Sequence, residues 1–361
     1  MNKKYIALLL AILTNSVTVF GQSISLTELQ IPVKTDAVVL TLEEATQKAL
    51  THSTTLKSSN MDLKISEQKL ETEEDDIANG HTFQQLLNYI KQNANYATSK
   101  LSQEVTREGV KFSLKQVYIE IINKEREIAL TKQSLKNTEK ELLIAKTKTK
   151  LGLISEQEWS NQELNYQKAL TNVQQQEINV KNAYQSLAKL INMETEDYQL
   201  MLEPIYEPLD LEMSLDTYIK GKINTDPTIK QKQISLETAE SEAKFTHATV
   251  PETETADEEA DNSVTKAELS LADEKTNLRT KIENCYDNII NLETNYQQNL
   301  MELETLKKQL IITQKKYELE QTTELDVLKA KQSIAEKEGE IIGQIYEHML
   351  LIEQFENSYL L

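Results

Sequence analysis

The stretch LLIAKTKTKLGLISEQEWSNQELNY, residues 142–166, decides the fold. It joins two heptad runs across one break at Gly152. On the N-terminal side Leu114, Ile121, Ile128, Leu135 and Leu142 recur every seven residues. On the other side Trp159, Tyr166, Val173, Val180 and Leu187 do the same, with Gln162, Ala169, Gln176, Ala183 and Leu190 on the adjacent row. Two heptad helices around a short break predict a long antiparallel coiled-coil hairpin. No strong breaker occurs between Thr82 and Gly152, because the isolated Gly109 is tolerable in a long helix. An unbroken helix over 82–149 is therefore expected. At 1.5 Å per residue it would run ~100 Å.

Working outward, a second set of signals repeats the first. Ile289, Tyr296, Leu303, Leu310 and Tyr317 recur at sevens, and a break follows at Glu320-Gln321-Thr322-Thr323. The final helix carries Ile345, Ile352 and Tyr359, beside Ile342 and Met349. Upstream of each long helix lie a short and a medium one. Thr41 with Glu44 reads as a capping box opening a helix through Ala49 and Leu50, and another runs from Ser53 to Leu70. Pro204 and Pro208 mark a connector over 194–222, ending in a short helix near Ser214–Lys222. Asp226-Pro227 then opens a helix to about His247. The acidic run at 250–262 reads as a solvated loop or disorder, with the third long helix starting near Val264. Gly152 in the first half matches Glu320 in the second, and Thr54 matches Pro227. The chain thus reads as a tandem duplication rather than a short solenoid period. The first helical repeat spans 40–193 with its tip near 150–156. The second spans 223–361 with its tip near 318–324.

Composition agrees. Seven Gly and five Pro in 361 residues are too few for a fold with many tight turns. A net charge of −19 excludes a surface built to hold nucleic-acid phosphates. The single Cys285 excludes a disulfide framework or a zinc cluster, and four scattered histidines leave little for a metal site. Cys285 shares a face with Leu292 and is expected to be a small buried hydrophobe. Lys3 and Lys4, the apolar run Tyr5 to Leu13 and the small residues Val19 and Gly21 read as a signal peptide over 1–21, with an arm over 22–39. The chain is expected to be exported to the cell envelope. There is no phosphate loop, dinucleotide motif or HExxH, and Ser241-x-x-Lys244 lacks companion motifs. No cofactor and no enzyme activity is expected.

The opening Leu40-Thr41-Leu42-Glu43-Glu44-Ala45 with Ala49-Leu50 resembles that of TolC-type outer-membrane efflux proteins. The family's Asn-Pro-x-Leu appears as Ser53-Thr54-Thr55-Leu56, without the Pro, and again as Asp226-Pro227-Thr228-Ile229, with it. Lys150-Leu151-Gly152-Leu153-Ile154-Ser155 resembles the family's first tip. The run from Lys316 to Leu328 resembles the second, with Glu320 where Gly is usual. Tyr184 to Ile191 resembles the end of the first return helix. The resemblance spans about 40–360 and implies a protomer that gives helical hairpins to a tapered tunnel and four strands to a twelve-stranded membrane barrel. It also implies a homotrimer that docks a periplasmic adaptor, which links it to an inner-membrane pump.

One departure stands out. In the family, two barrel strands sit between the medium and long helices of each half. A membrane strand needs about 9–11 residues of alternating character. Residues 71–112 and 244–270 show none, and the second is rich in Glu and Asp. Barrel strands are expected to be missing, which leaves an all-α protomer of long antiparallel coiled-coil hairpins in two tandem repeats. The candidate partner-binding residues are Leu151, Gly152, Leu153 and Ser155 at the first tip, and Glu320, Gln321, Thr322 and Thr323 at the second. A bare turn is the other reading of each. The physical case for docking is a hairpin end with uncapped backbone groups and an exposed Leu. Asp326 is a tunnel-entrance candidate, with a solvated face as the alternative, and Lys329 is expected to pair with it. Two functions stay open: an efflux tunnel component, and a coiled-coil envelope scaffold without a conduit.

Overall fold

The computed structural model describes residues 38–78, 82–193, 198–249 and 254–361. The expected signal peptide, the arm to residue 37 and the break at Asn79-Gly80 lie outside them. A strand, β1 (Val38–Thr41), leads into α1 (Leu42–His52) at the capping box read from the sequence. Thr41 Oγ1 accepts from the Glu44 N–H, and the Glu44 carboxylate accepts from the Thr41 N–H, each at 3.2 Å. There follow α2 (Thr54–Ala78), α3 (Phe83–Lys150), α4 (Glu156–Ile191), β2 (Tyr198–Met201), α5 (Leu215–Thr225) and α6 (Pro227–Thr249). The chain ends with α7 (Glu254–Glu318), α8 (Glu324–Glu356) and a 3-10 turn, Ser358–Leu360. The long helix predicted from the first heptads is α3, opened by a second capping box between Thr82 and Gln85.

Two readings need correction. Residues 254–262, expected as a loop, are the first turns of α7. The last strong breaker there is Pro251, and carboxylates are favourable near a helix N-terminus. His247 of α6 adds contacts to Asp257 and Asp261 at 3.7 and 3.5 Å. Second, part of the connector is a strand. β2 pairs in parallel with β1, from Val38 opposite Tyr198 to Thr41 opposite Met201.

The expected absence of barrel strands holds among the described residues, where β1 and β2 are the only strands. Residues 79–81 lie between α2 and α3 outside the description, and residues 250–253 lie between α6 and α7. Neither interval has room for a membrane strand of about 9 residues, let alone two. Among the described residues no helix is long and apolar enough to cross a membrane.

The helices form a wall one layer thick. Toward the tips the packed order is α4, α3, α8, α7; toward the other end it is α2, α3, α6, α7. α3 and α7 run through both halves. The waist between them holds the core. Leu114, Tyr118, Ile121 and Ile122 of α3 pack on Leu187 and Ile191 of α4, on the strands through Leu40 and Leu200, and on Ala45 and Ala49 of α1. A second cluster joins Ile219, Ile229, Leu278, Ile282, Cys285 and Ile289 to Phe355 of α8. Cys285 is buried as expected, and burial pushes its thiol up to about 11. Gly339 of α8 permits a close approach to α3, since a Cβ there would meet Leu130 at 3.0 Å.

Polar stitches fix the waist. The Tyr118 hydroxyl donates to the Leu40 carbonyl at 2.7 Å and accepts from the Met201 N–H at 2.9 Å, so one side chain ties both strands to α3. The connector beyond β2 is held by Glu293, which accepts from the Leu209 N–H at 2.6 Å and lies 2.9 Å from His348 Nε2. Tyr206 stacks on Tyr296 beside it.

The repeat extends to the caps. Ser53 precedes α2 and accepts from the Leu56 N–H at 3.1 Å. Asp226 precedes α6, accepts from the Thr228 N–H at 2.8 Å, and takes a further bond from Ser358 Oγ at 2.6 Å. Asp226 is almost fully buried, so its loss strands more than a cap. Asp226→Ala should cost about 2 kcal/mol and Ser53→Ala about 1 kcal/mol in chemical denaturation. Equal costs would contradict this account of the two caps.

Candidate functional site at the hairpin tips

Both tips are built alike. Gly152 has φ +68 and Glu320 has φ +59, so each repeat turns through a left-handed residue at the matched position. Glu320 accepts the strain that Gly152 avoids; it costs roughly 1 kcal/mol. The hydrogen bonds also superimpose under the shift that carries Gly152 onto Glu320. Leu151 N–H donates to Thr147 O, Gly152 N–H to Thr149 O and Leu153 N–H to Lys148 O. Leu319, Glu320 and Gln321 N–H donate to Lys315, Tyr317 and Lys316 O. The return helices then open on matched capping boxes, Ser155 with Glu158 and Thr323 with Asp326.

This geometry corrects one premise of the sequence reading. Uncapped backbone groups are the expectation at the tips, but much of that need is met internally. What the tips do offer is apolar surface. Leu151 and Leu153 are each 68% exposed, and Leu319 is 66% exposed. Just behind them Leu143 and Ile144 are matched by Ile311 and Ile312, all exposed at the same two positions of each repeat. The heptad reading missed these residues because they lie off the seam row. Their signal is the recurrence of an apolar pair at equivalent places in the two repeats.

Asp326 has a structural task. Its Oδ2 accepts from Thr322 Oγ1 at 2.6 Å, from Thr323 N–H at 2.9 Å and from Thr323 Oγ1 at 2.7 Å. Lys329 does not form the expected ion pair with it; Lys329 Nζ bonds Glu141 of α3 at 2.5 Å. Lys140 and Glu324 make a second α3–α8 pair at 3.3 Å, and Asn137 donates to Gln332 at 2.6 Å. Near the tips the two hairpins are thus held by polar bonds, and exposed ion pairs contribute only about 0–1 kcal/mol each. The α3 seam follows the same gradient: Leu114 and Ile121 are fully buried at the waist, whereas Ile128, Leu135 and Leu142 are only half-buried. Firm packing at the waist and weak polar ties at the tips leave the hairpin ends freer to move than their roots.

The bonds from Thr322 and Thr323 lower the Asp326 pKa to about 2. A depressed carboxylate stabilises the fold above its unfolded pKa and loses that contribution as pH falls through the folded value. The window here runs from 3.8 down to about 2. A carboxyl NMR titration should place Asp326 near the lower value, and Thr323→Ala should move it back toward 3.8. An unshifted midpoint in the parent chain would contradict the capping box.

Three comparisons with known proteins bear on this architecture. No protein-family model matches the chain. No curated protein matches it in sequence either. Solved structures do. The CmeC outer membrane channel of Campylobacter jejuni is 12% identical, with TM-score 0.69 over 88% of this chain and 85% of that one. CusC, described in connection with folding and transmembrane channel formation, is 10% identical, with TM-score 0.71 over 91% and 96%. The outer membrane protein VceC of Vibrio cholerae is 12% identical, with TM-score 0.67 over 87% and 95%. At such identities the likeness shows the fold, and the chain has the helical fold of TolC-type outer-membrane efflux channels.

Proposed function

We propose that three copies of this chain close side by side into a helical tunnel in the cell envelope. The tunnel serves as the exported component of a tripartite efflux or secretion system. The observation that carries this reading is the wall with two free edges. α4 bounds it on one side and α7 on the other. Each edge carries exposed apolar residues, Leu164 and Ile178 on α4, and the evenly spaced Ile290, Met301 and Ile312 on α7. Counted from the tips at 1.5 Å per residue, Ile312, Leu164, Met301, Ile178 and Ile290 lie at about 9, 12, 26, 33 and 42 Å. The two sets interleave, as side chains of adjacent helices must to pack. Joining α4 of one copy to α7 of the next is a head-to-tail contact, which yields a ring when the rotation closes.

In this reading the tips Leu151, Gly152, Leu153, Ser155, Glu320, Gln321, Thr322 and Thr323 face a periplasmic adaptor, which connects the tunnel to an inner-membrane pump. Asp326 places one ionised carboxylate per copy at the same end. The lack of strand-length segments after α2 and after α6 favours a tunnel whose far end stands in water. Passage across an outer membrane would then fall to another pore. No catalytic step is assigned to the chain.

The test is covalent closure. In a Cys285→Ala background, Leu164→Cys and Ile312→Cys are introduced together and joined with a short bismaleimide. A closed ring gives crosslinked products that stop at three copies. An unlimited ladder, or no product, would overturn the tunnel and leave a scaffold of hairpins.

A further inference from the structure

One segment crosses the wall at its waist and meets four helices in turn. The Tyr198 carbonyl accepts from the Tyr184 hydroxyl of α4 at 2.9 Å. The Met201 N–H donates to the Tyr118 hydroxyl of α3 at 2.9 Å. The Leu202 carbonyl accepts from the Tyr346 hydroxyl of α8. Tyr206 stacks on Tyr296 of α7, and the Leu209 N–H donates to Glu293 of the same helix. Residues 198–209 therefore form a strap that runs from the α4 edge to the α7 edge. Its middle alternates: Leu202, Pro204 and Tyr206 are half-buried, while Glu203, Ile205 and Glu207 are exposed. Ile205 shows 50% of its surface to solvent, on the part of the strap nearest α7.

β1 lies parallel to the first residues of the strap, with Val38 opposite Tyr198. Val38 thus sits on the α4 side, and the residues before it arrive from beyond that edge. In the ring proposed above, α7 of the next copy stands there, and that copy's strap ends on it. The sequence of the arm suits such a place. Leu29, Ile31 and Val33 alternate with Gln30, Pro32 and Lys34, the period of a half-buried strand. Pro32 has no N–H, which confines such a strand to an edge. The link Lys34-Thr35-Asp36-Ala37 holds no glycine or asparagine, the residues that tight hairpin turns favour for folding a chain back on itself. Reach fits as well. Packed helices stand about 10 Å apart, so α7 and α8 of the next copy lie about 10 and 20 Å from α4. At ~3.3 Å per residue, Val33 and Ile31 lie up to about 17 and 23 Å from Val38. Ile205 occupies that span, beside the place where Tyr206 meets Tyr296 and His348.

We propose that residues 28–34 of one copy cross to the next copy and lie along the outer part of its strap, with Ile31 and Val33 packed against Ile205. The crossing rests on the ring reading above; the occupant and its place rest on the course of the strap and the pattern of the arm. Charge does not drive the contact. The strap bears Glu203 and Glu207, with Asp210 and Glu212 just beyond, and the arm bears Glu28, Lys34 and Asp36. Apolar burial supplies the affinity. Each copy gives one arm and receives one, so the waist contacts and the α4–α7 edges close the same ring together.

The test pairs single cysteines in a Cys285→Ala background. Copies with Ile31→Cys and copies with Ile205→Cys carry different tags, are co-expressed, and are treated with a short bismaleimide. A crosslink should join the two tags, and the double variant Ile31→Cys/Ile205→Cys should give products that stop at three copies. Crosslinking confined to one chain, or none, would overturn the proposal. Affinity gives a second readout. On dilution followed by light scattering, Ile31→Asp should weaken the assembly about tenfold, the scale of one aliphatic side chain returned to water. Gln30→Asp adds the same charge on the other side of the run and should leave the assembly unchanged. Equal effects of the two substitutions would also overturn the proposal. A trimer that crosslinks only within a chain sinks the crossing arm and spares the tunnel. A parent chain that is a monomer sinks the tunnel itself.

Discussion

Burial of one face of α3 at the waist is the constraint on which the rest of the structure depends. Leu114, Tyr118, Ile121 and Ile122 are all but inaccessible there, and they touch α4, α1 and both strands. Two hairpins of this length cannot be aligned by their tips, where packing is partial and the ties are exposed ion pairs. They are aligned by a short, dry region near the middle of α3, and the arms inherit their direction from it. The Tyr118 hydroxyl belongs to the same constraint. Buried between two backbone segments, it donates to the Leu40 carbonyl and accepts from the Met201 N–H. Burial pushes its pKa up to about 12, so it remains a donor at every relevant pH.

A single-layer wall follows from that arrangement. Each helix is covered by its two neighbours, and the outermost helices have one neighbour each. Leu164, Ile178, Met301 and Ile312 are then exposed for want of a next helix. Scattered apolar residues on a surface need no explanation, whereas an interleaved pair of stripes on opposite edges is what the proposed ring requires. The same logic explains how Glu320 can stand in a left-handed turn. Both tips are closed by matching backbone bonds and capping boxes, which together hold a conformation that one glutamate would not choose by itself.

Much of this was legible in the residues. Heptads at Leu114 to Leu142 and Trp159 to Leu187 gave the first hairpin, and Thr41 with Glu44 gave the first cap, because periodicity and capping are local properties. The duplication was legible from order alone. What escaped were features set by distant partners. β1 and β2 are four residues each and exist because Tyr118 and the α3 face receive them. The acidic run after Pro251 looked solvated by composition, yet carboxylates near a helix start favour the helix. Lys329 lay one turn from Asp326 in sequence but met Glu141 across the hairpins. At the tips, composition picked out Gly152 and the leucines, while the approach of Leu325 to Ile144 and Ala145 arises only when α8 is set against α3.

The central claim is that this chain builds a closed helical wall without strands embedded in a membrane. Light scattering during size-exclusion chromatography of residues 22–361, in buffer free of detergent, tests it most directly. The account predicts a soluble, elongated particle with the mass of three copies. A monomer, or protein recovered only in detergent, would contradict it.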